Sequence, residues 1–154
     1  MHSYNFNFIG EKLTALRTGS LFWEEMGILC VSDLHLGKTH RLNRIGAGAL
    51  PPYENIDTLK RLQEDIHNTN PTCVICLGDS FDDPLAERSL STNEIASLKV
   101  MQKGRDWIWI SGNHDPYISY KYGNYLSSFS KSAITFRHIA LRGENGEISG
   151  HYHP

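Results

Sequence analysis

Three stretches of this sequence share one pattern, in which a largely apolar run ends abruptly at side chains able to bind metal ions. The runs cover residues 27–32, 72–77 and 106–111, and each is followed within three residues by Asp, Asn or His. Runs of this kind are typical of strands buried on both faces of a sheet. Helical periodicity lies between them, so the chain is predicted to form an α/β fold with a largely parallel sheet and right-handed crossovers.

The segments between the runs have the pattern of amphipathic helices. Residues 53–68 carry four apolar side chains at helical spacing: Ile56, Leu59, Leu62 and Ile66. This helix is predicted to end near the Asn70-Pro71 step, because a proline disfavours helical backbone before it. Residues 91–94 have the form of a capping box, which predicts the start of a second helix that Gly104 closes.

A basic segment follows the first polar junction. Lys38, Arg41 and Arg44 recur at three-residue intervals within residues 37–45, so they share one face if the segment is helical. Two interpretations remain open. One is a solvated helix face; the other, favoured equally by the position of the segment, is that Lys38 and Arg41 contact a substrate phosphate.

Length and composition limit the classes of protein to consider. The chain has 154 residues, of which 40% are hydrophobic and 21% charged, as expected for a single domain spanning residues 1–154. The formal net charge of −2 excludes a global basic field, so affinity for a polyanion must come from local patches or metal ions. Residues 1–8 do not resemble a signal peptide and no segment approaches a membrane span, so we expect a cytoplasmic protein with no membrane partner.

The cysteines agree with a reducing compartment. Cys30, Cys73 and Cys76 are an odd number of thiols within apolar runs, which suits buried free cysteines better than disulfides. Cys73 and Cys76 have the spacing of half a zinc motif. In a strand, however, residues three apart face opposite ways, and we interpret all three cysteines as core residues.

The polar ends of the three predicted strands are expected to meet, because ligands collect at the carboxyl ends of parallel strands. Five side chains should converge there: Asp33, His35, Asp79, Asn113 and His114. Each alone is weak evidence, since a lone aspartate after a strand is more often a helix cap and a lone asparagine a turn residue. Their coincidence at three junctions favours one site.

Further imidazoles come late in the chain. His138 follows a predicted strand at residues 132–137, and residues 150–154 read Gly-His-Tyr-His-Pro. If that segment is extended, His151 and His153 point to the same side and reach one cluster. Carboxylates, a carboxamide and imidazoles without thiolates suit Mn²⁺, Fe or Zn²⁺. Two such ions about 3.5 to 4 Å apart convert a bound water to hydroxide and stabilise in-line displacement at phosphorus, which predicts phosphoester hydrolysis.

Taken together, the motifs resemble those of the calcineurin-like metallophosphoesterase superfamily. They occur in the same order: Asp33-x-His35, Gly78-Asp79, Gly112-Asn113-His114-Asp115, His138 and Gly150-His151-x-His153. The resemblance implies a metallophosphoesterase-type layered fold of mixed, largely parallel sheets flanked by helices. The residues around the first and last motifs, 33–38 and 146–154, are similar to those of the ligase-associated DNA-damage-response phosphoesterases.

The resemblance also implies a role for each motif residue. Asp33, His35 and His153 would hold one divalent metal ion; Asn113, His138 and His151 would hold a second; Asp79 would bridge them. His114 would stabilise transition-state charge or protonate the leaving alkoxide. Asp115 would orient His114. Mn²⁺ is the expected metal, with Fe or Zn²⁺ as alternatives.

The function implied is a two-metal phosphodiesterase of nuclease type in DNA repair. Its substrate would be a nucleic acid or nucleotide phosphoester, and DNA-ligase-associated repair proteins are candidate partners. Two alternatives remain open: a phosphatase acting on a nucleotide or other phosphomonoester, and a truncated, non-catalytic metal-binding remnant.

Two departures from the family pattern bear on these alternatives. Relatives in the ligase-associated group often have a histidine after the Gly-Asp motif, where this chain has Asp82 and Asp83. Family members also usually continue past the His-x-His-Pro step. The domain is therefore expected to be truncated at its C-terminus relative to the family and to lack C-terminal strands.

Overall fold

A seven-stranded sheet organises the fold. The computed structural model describes residues 3–47, 53–118 and 123–153. The strands in chain order are β1 (Tyr4–Phe8), β2 (Glu11–Ala15), β3 (Leu21–Trp23), β4 (Ile28–Val31), β5 (Cys73–Cys76), β6 (Asp106–Ile110), β7 (Asn124–Leu126), β8 (Ser128–Lys131), β9 (Ile134–Arg137) and β10 (Glu147–Ser149). The α-helices are α1 (Lys38–Arg44), α2 (Glu54–Thr69) and α3 (Thr92–Gln102), and a 3₁₀ turn covers Ala86–Ser89.

The large sheet has the order β1-β2-β3-β4-β5-β6-β7. Strands β4 to β7 pair in parallel, with α2 crossing from β4 to β5 and α3 crossing from β5 to β6. Strands β1 to β4 pair antiparallel, so the N-terminal strands extend the parallel part into a mixed sheet. The predicted mixed α/β fold is confirmed.

A smaller sheet, of order β10-β9-β8, covers one face of the large sheet. Here β9 pairs with β10 in parallel and with β8 antiparallel. We predicted β9, but neither β7 nor β8, because Asn-Tyr-Leu and Ser-Phe-Ser-Lys are too short and too polar for a strand pattern. Phe129 is the apolar residue of β8, and it packs on Phe136 with ring centroids 6.3 Å apart.

The core lies on both faces of the large sheet, and the cysteines show this division. Cys76 faces the layer of α2 and α3, whereas Cys30 and Cys73 face the small sheet. All three are free thiols, as predicted; Cys30 and Cys76 are buried core residues, whereas Cys73 is only half-buried at the edge of the core. Burial, and then the charge of Asp106, raise the pKa of Cys73 to about 11.

The predicted helices form with one difference in α2. Leu59, Leu62 and Ile66 are buried, but Ile56 is 54% exposed. Conversely, Asp65 is 2% exposed, because it accepts hydrogen bonds from the Thr18 and Ser20 hydroxyls. At its end Asn70 has a left-handed backbone, consistent with the predicted stop.

Helix α3 begins as predicted. The Ser91 side chain accepts from the Glu94 N–H, and the Glu94 carboxylate accepts from the Ser91 N–H at 2.6 Å, which is a capping box. The residue after the helix cap, Gly104, has a φ of 76°. Among the described residues, no helix is long and apolar enough to cross a membrane.

Candidate metal centre

The predicted site residues follow three neighbouring parallel strands. Asp33 follows β4, Asp79 follows β5 and Asn113 follows β6, so the carboxyl ends of the strands bring them to one edge. We call the loops that follow β4, β5 and β6 the first, second and third loops. Backbone hydrogen bonds join the first two, from Asp33 N–H to the Gly78 carbonyl at 3.2 Å and from His35 N–H to the Asp79 carbonyl at 2.9 Å. The convergence predicted from the sequence is therefore present.

One group of donors consists of Asp33, His35 and His153. One ligand atom from each lies within 4.8 Å of the other two. His153 Nε2 is 3.4 Å from Asp33 Oδ1, and the His151 backbone N–H donates to the same carboxylate at 3.1 Å from Oδ2. Residues 151–153, which we call the closing segment, thus contact Asp33 through the His151 backbone and the His153 side chain.

A second group consists of Asp79, His138 and His151, whose ligand atoms also lie within 4.8 Å of one another. Asn113 belongs with them, since its Oδ1 is 2.9 Å from His138 Nε2 and 3.0 Å from His151 Nδ1. All four predicted members of this half of the site are therefore together. Asp79 lies with this second group, and its bridging role stays a prediction.

The chemistry around His138 fits a cation. Its Nδ1 is 2.7 Å from the Leu77 carbonyl, which can only accept a hydrogen bond, so Nδ1 carries the proton of the neutral ring. Nε2 then has a lone pair, yet it faces Asn113 Oδ1 at 2.9 Å and Asp79 Oδ2 at 3.2 Å. A cation between these acceptor atoms would offset their mutual repulsion, and oxygen and nitrogen donors suit a divalent transition metal.

Left-handed backbone is concentrated in these donors. Eight non-glycine residues have a positive φ among the described parts of the chain. Five of them are predicted ligands, with φ between 43° and 71°: Asp33, His35, Asp79, His151 and His153. Each such residue costs roughly 1–2 kcal/mol, and strain of this kind persists where the surroundings enforce it, most often at functional sites.

The same values correct one prediction. Residues 151–153 are not extended, because His151 has a φ of 71° and His153 a φ of 43°. The two imidazoles therefore do not reach one cluster. His151 joins Asp79 and His138, whereas His153 joins the group around Asp33, which agrees with the roles implied by the resemblance.

Two motif glycines lie where the backbone is too close to other atoms for a side chain to fit. A Cβ on Gly112 would lie 2.2 Å from the Asp79 backbone nitrogen, and one on Gly150 would lie 1.9 Å from the Ser32 Oγ and 2.8 Å from Asp33 Oδ2. Neither position has room for a side chain. Gly112 and Gly150 thus let the third loop and the closing segment pack directly against the two aspartates.

Asp115 has a different position from the one predicted. Its buried carboxylate accepts four backbone N–H groups, from Asp79, Ser80, Phe81 and Gly112, at 2.7–3.0 Å. It therefore joins the second and third loops instead of orienting the His114 ring. Burial raises the pKa of Asp115 to about 6, although these hydrogen bonds act to lower it.

The ring of His114 is held by a residue that we did not predict to belong to the site. Its Nδ1 lies 2.9 Å from the backbone carbonyl of Asp82. The buried Asp82 carboxylate also lies 2.9 Å from His35 Nδ1. In the sequence, the one indication that Asp82 belongs to the site is its position three residues after Asp79 in the same loop. Its contacts with His35 and His114 join residues far apart in the sequence, so they are visible only in the folded chain.

The basic side chains of α1 all lie near carboxylates of the protein, and a contact of Lys38 or Arg41 with substrate phosphate stays a prediction. Arg41 pairs with Asp82, Arg44 pairs with Asp83, and Lys38 lies 3.9 Å from Glu54. The helix itself is confirmed. For Arg41, a predicted contact to substrate phosphate, the described partner is a protein carboxylate.

A cleft of about 270 Å³ opens beside the second donor group. It is lined by Asn113 and His138 and by two exposed apolar side chains, Ile139 and Leu141. Glu147 fixes this wall, because its carboxylate accepts from Arg137 and from the Leu141 N–H at 2.7 Å. The cleft thus places apolar surface next to predicted metal ligands.

Comparison with known proteins agrees with this fold. A profile of the calcineurin-like phosphoesterase family matches residues 26–153. The chain belongs to this family, and the predicted class of enzyme, a hydrolase acting on phosphoester bonds, is confirmed. Its structure is similar to the crystal structure of Pseudomonas putida nuclease MPE, with a TM-score of 0.79, 20% identity and coverage of 99% of this chain and 74% of that chain. No curated protein matches the sequence significantly.

Proposed function

We propose that the protein is a two-metal phosphodiesterase of nuclease type. The main support is a pair of donor groups at the ends of neighbouring strands, formed by Asp33, His35 and His153 and by Asp79, Asn113, His138 and His151. Two divalent cations held by these groups would activate water and stabilise charge on the phosphoryl oxygens. We propose Mn²⁺, with Fe or Zn²⁺ as alternatives, and a bridging role for Asp79.

His114 is proposed as the proton-transfer residue. Because its Nδ1 faces the Asp82 carbonyl, Nε2 is the nitrogen left to exchange a proton with the leaving alkoxide. The His114 backbone N–H donates to Asp79 Oδ1 at 2.8 Å, which keeps this histidine next to the second donor group. Asp115 supports the same loop through its four backbone hydrogen bonds.

Nucleic acid is the proposed substrate class. Support comes from the structural similarity to a nuclease and from the motif residues that resemble the ligase-associated phosphoesterases. The cleft beside Asn113 would receive the nucleoside next to the reacting phosphate, with Ile139 and Leu141 packing against it. We further propose a role in DNA repair beside ligase-associated proteins, in the cytoplasm, where three free thiols remain reduced.

The proposal is tested by hydrolysis assays on metal-free protein to which Mn²⁺, Fe²⁺, Zn²⁺ or Mg²⁺ is returned. We expect Mn²⁺-dependent cleavage of single-stranded or duplex DNA and of bis-p-nitrophenyl phosphate, and loss of both in the His114→Ala variant. Arg88→Ala, on the 3₁₀ turn outside the donor groups, is the control for a general effect of substitution.

Two other outcomes would select the alternatives. Activity on p-nitrophenyl phosphate or nucleoside monophosphates, without cleavage of diesters, would make the protein a phosphomonoesterase. A folded protein that binds Mn²⁺ and hydrolyses none of these substrates would be a non-catalytic metal-binding remnant.

A further inference from the structure

A buried carboxylate connects a basic helix to a predicted metal ligand. Asp82 is 2% exposed and both of its side-chain oxygens are used. Oδ1 is 2.9 Å from His35 Nδ1, and Oδ2 accepts from Arg41 Nε. An ionised carboxylate at this depth is unfavourable without such partners, so Arg41 and His35 together account for its burial.

The backbone gives Asp82 a fixed position relative to His35. The two loops run side by side, with hydrogen bonds from Leu36 N–H to the Ser80 carbonyl at 2.8 Å and from Asp82 N–H to the Leu36 carbonyl at 2.9 Å. The remaining freedom is the rotation of the Asp82 side chain. Arg41 removes it, since a guanidinium bound to Oδ2 directs Oδ1 toward the imidazole.

This arrangement selects one form of the His35 ring. A carboxylate oxygen only accepts, so His35 Nδ1 carries the proton and Nε2 keeps its lone pair. Nε2 is then the nitrogen available to the group formed with Asp33 and His153. A carboxylate partner on the other ring nitrogen also makes an imidazole a more basic ligand and fixes its orientation.

His35, Asp82 and His114 also satisfy the distance requirement for a third cation site, with ligand atoms within 4.8 Å of one another. The geometry argues against a cation there. Asp82 already binds the guanidinium of Arg41, and a divalent ion at the same carboxylate would be repelled by it. The His114 ring is directed to the Asp82 carbonyl.

We propose that Arg41 is a positioning residue that acts through Asp82 to hold His35 in the tautomer and orientation needed for metal binding, instead of contacting substrate phosphate. The role in metal binding rests on the proposed two-metal centre. The effect on the His35 ring does not, because it belongs to the metal-free protein.

Arg41→Ala and Arg41→Lys test the proposal, with Arg44→Ala as the matched control one turn along α1, where the arginine pairs with Asp83. Long-range ¹H–¹⁵N spectra of the metal-free proteins report the histidine tautomers. We expect His35 to be protonated at Nδ1 in wild type and Arg44→Ala, mixed in Arg41→Ala, and largely restored in Arg41→Lys. An unchanged His35 tautomer in Arg41→Ala would overturn the proposal.

Mn²⁺ titration by calorimetry gives the second measurement. Loss of a partner that supports a metal ligand typically weakens binding 10–100-fold, so we expect about a tenfold weaker Mn²⁺ site in Arg41→Ala and none of this in Arg44→Ala. If Mn²⁺ affinity is unchanged but KM for a phosphodiester rises, Arg41 is a substrate contact and the proposal is wrong. If the wild-type protein binds Mn²⁺ but hydrolyses no substrate, only the proposed function is contradicted. The proposal for Arg41 can still be tested by the His35 tautomer and the Mn²⁺ affinity.

Discussion

The backbone N–H of His114 donates to Asp79 Oδ1 at 2.8 Å, so the residue proposed to transfer a proton is tied to the carboxylate proposed to bridge the metals. The other Asp79 oxygen faces His138 Nε2 at 3.2 Å. One carboxylate therefore uses one oxygen to hold a loop, and its other oxygen faces a proposed metal ligand, His138. Substitutions at Asp79 can separate these two tasks.

Asp79→Asn should keep the fold and lose the metal centre. An amide oxygen can still accept from the His114 N–H, but the negative charge is removed and an amide nitrogen takes the place of one oxygen. We expect hydrolysis to fall by about 100-fold or more, as when an electrostatic element of a transition state is removed. Mn²⁺ binding, measured by calorimetry, should weaken in parallel.

The control is Asp83→Asn, which removes a carboxylate paired with Arg44 outside both donor groups. Equal losses of hydrolysis and Mn²⁺ binding in the two variants would contradict this role for Asp79.

Asp115→Ala should destabilise the folded protein. Four backbone N–H groups lose their acceptor in a buried position, and unsatisfied buried donors cost about 1–3 kcal/mol each when they find no water. We expect the free energy of unfolding to fall by about 3 kcal/mol in urea denaturation. A fall below about 1 kcal/mol would show that the two loops hold together without this carboxylate.

Gly150→Ala should displace the closing segment. The added Cβ would lie 1.9 Å from Ser32 Oγ and 2.8 Å from Asp33 Oδ2, so residues 151–153 must move away from their partners. Mn²⁺ affinity should drop about tenfold, because His151 and His153 lose the packing that holds them beside the other donors. Gly46→Ala is the control, since its Cβ meets nothing within 4 Å and its φ of 74° costs only roughly 1–2 kcal/mol. Equal Mn²⁺ affinity in the two variants would refute the close-packing explanation.

Cys73 should be a poorly reactive thiol that makes stability fall at alkaline pH. Its pKa is about 11 in the folded chain because of burial, against 9.0 for a thiol in water, so the folded state holds its proton more tightly. The resulting stability is present below about pH 9 and is lost as the pH rises toward 11. Urea denaturation from pH 8 to 10.5 should show a decline that is smaller in Cys73→Ser. Alkylation of Cys73 at pH 8 as fast as in urea-unfolded protein would contradict the raised pKa.

Much of the site could be predicted because it is encoded locally. Asp33, Asp79 and Asn113 each follow a buried strand, and the parallel order of those strands brings them together without any detail of packing. The roles of Asp82 and Asp115 could not be read in this way. Asp82 meets Arg41 across a sequence separation of 41 residues, and Asp115 binds N–H groups of a loop that precedes it by more than thirty.

The strands of the small sheet show the same limit. Buried residues of β4, β5 and β6 form continuous apolar runs, but β8 has one inward aromatic residue, Phe129, among polar neighbours. Its strand structure depends on pairing with β9, which local periodicity does not reveal. The exposure of Ile56 likewise depends on where α2 meets its neighbours rather than on its own helical spacing.

The attachment of residues 151–153 to Asp33 and Asp79 has a consequence for synthesis of the chain. Each donor group combines residues from earlier in the chain with His151 or His153, which are translated after them. A nascent chain that has reached His138 already contains most of the donors, yet neither group is complete. The proposed hydrolytic activity would thus require that residues 151–153 have left the ribosome, and a nascent chain shorter than this would be inactive.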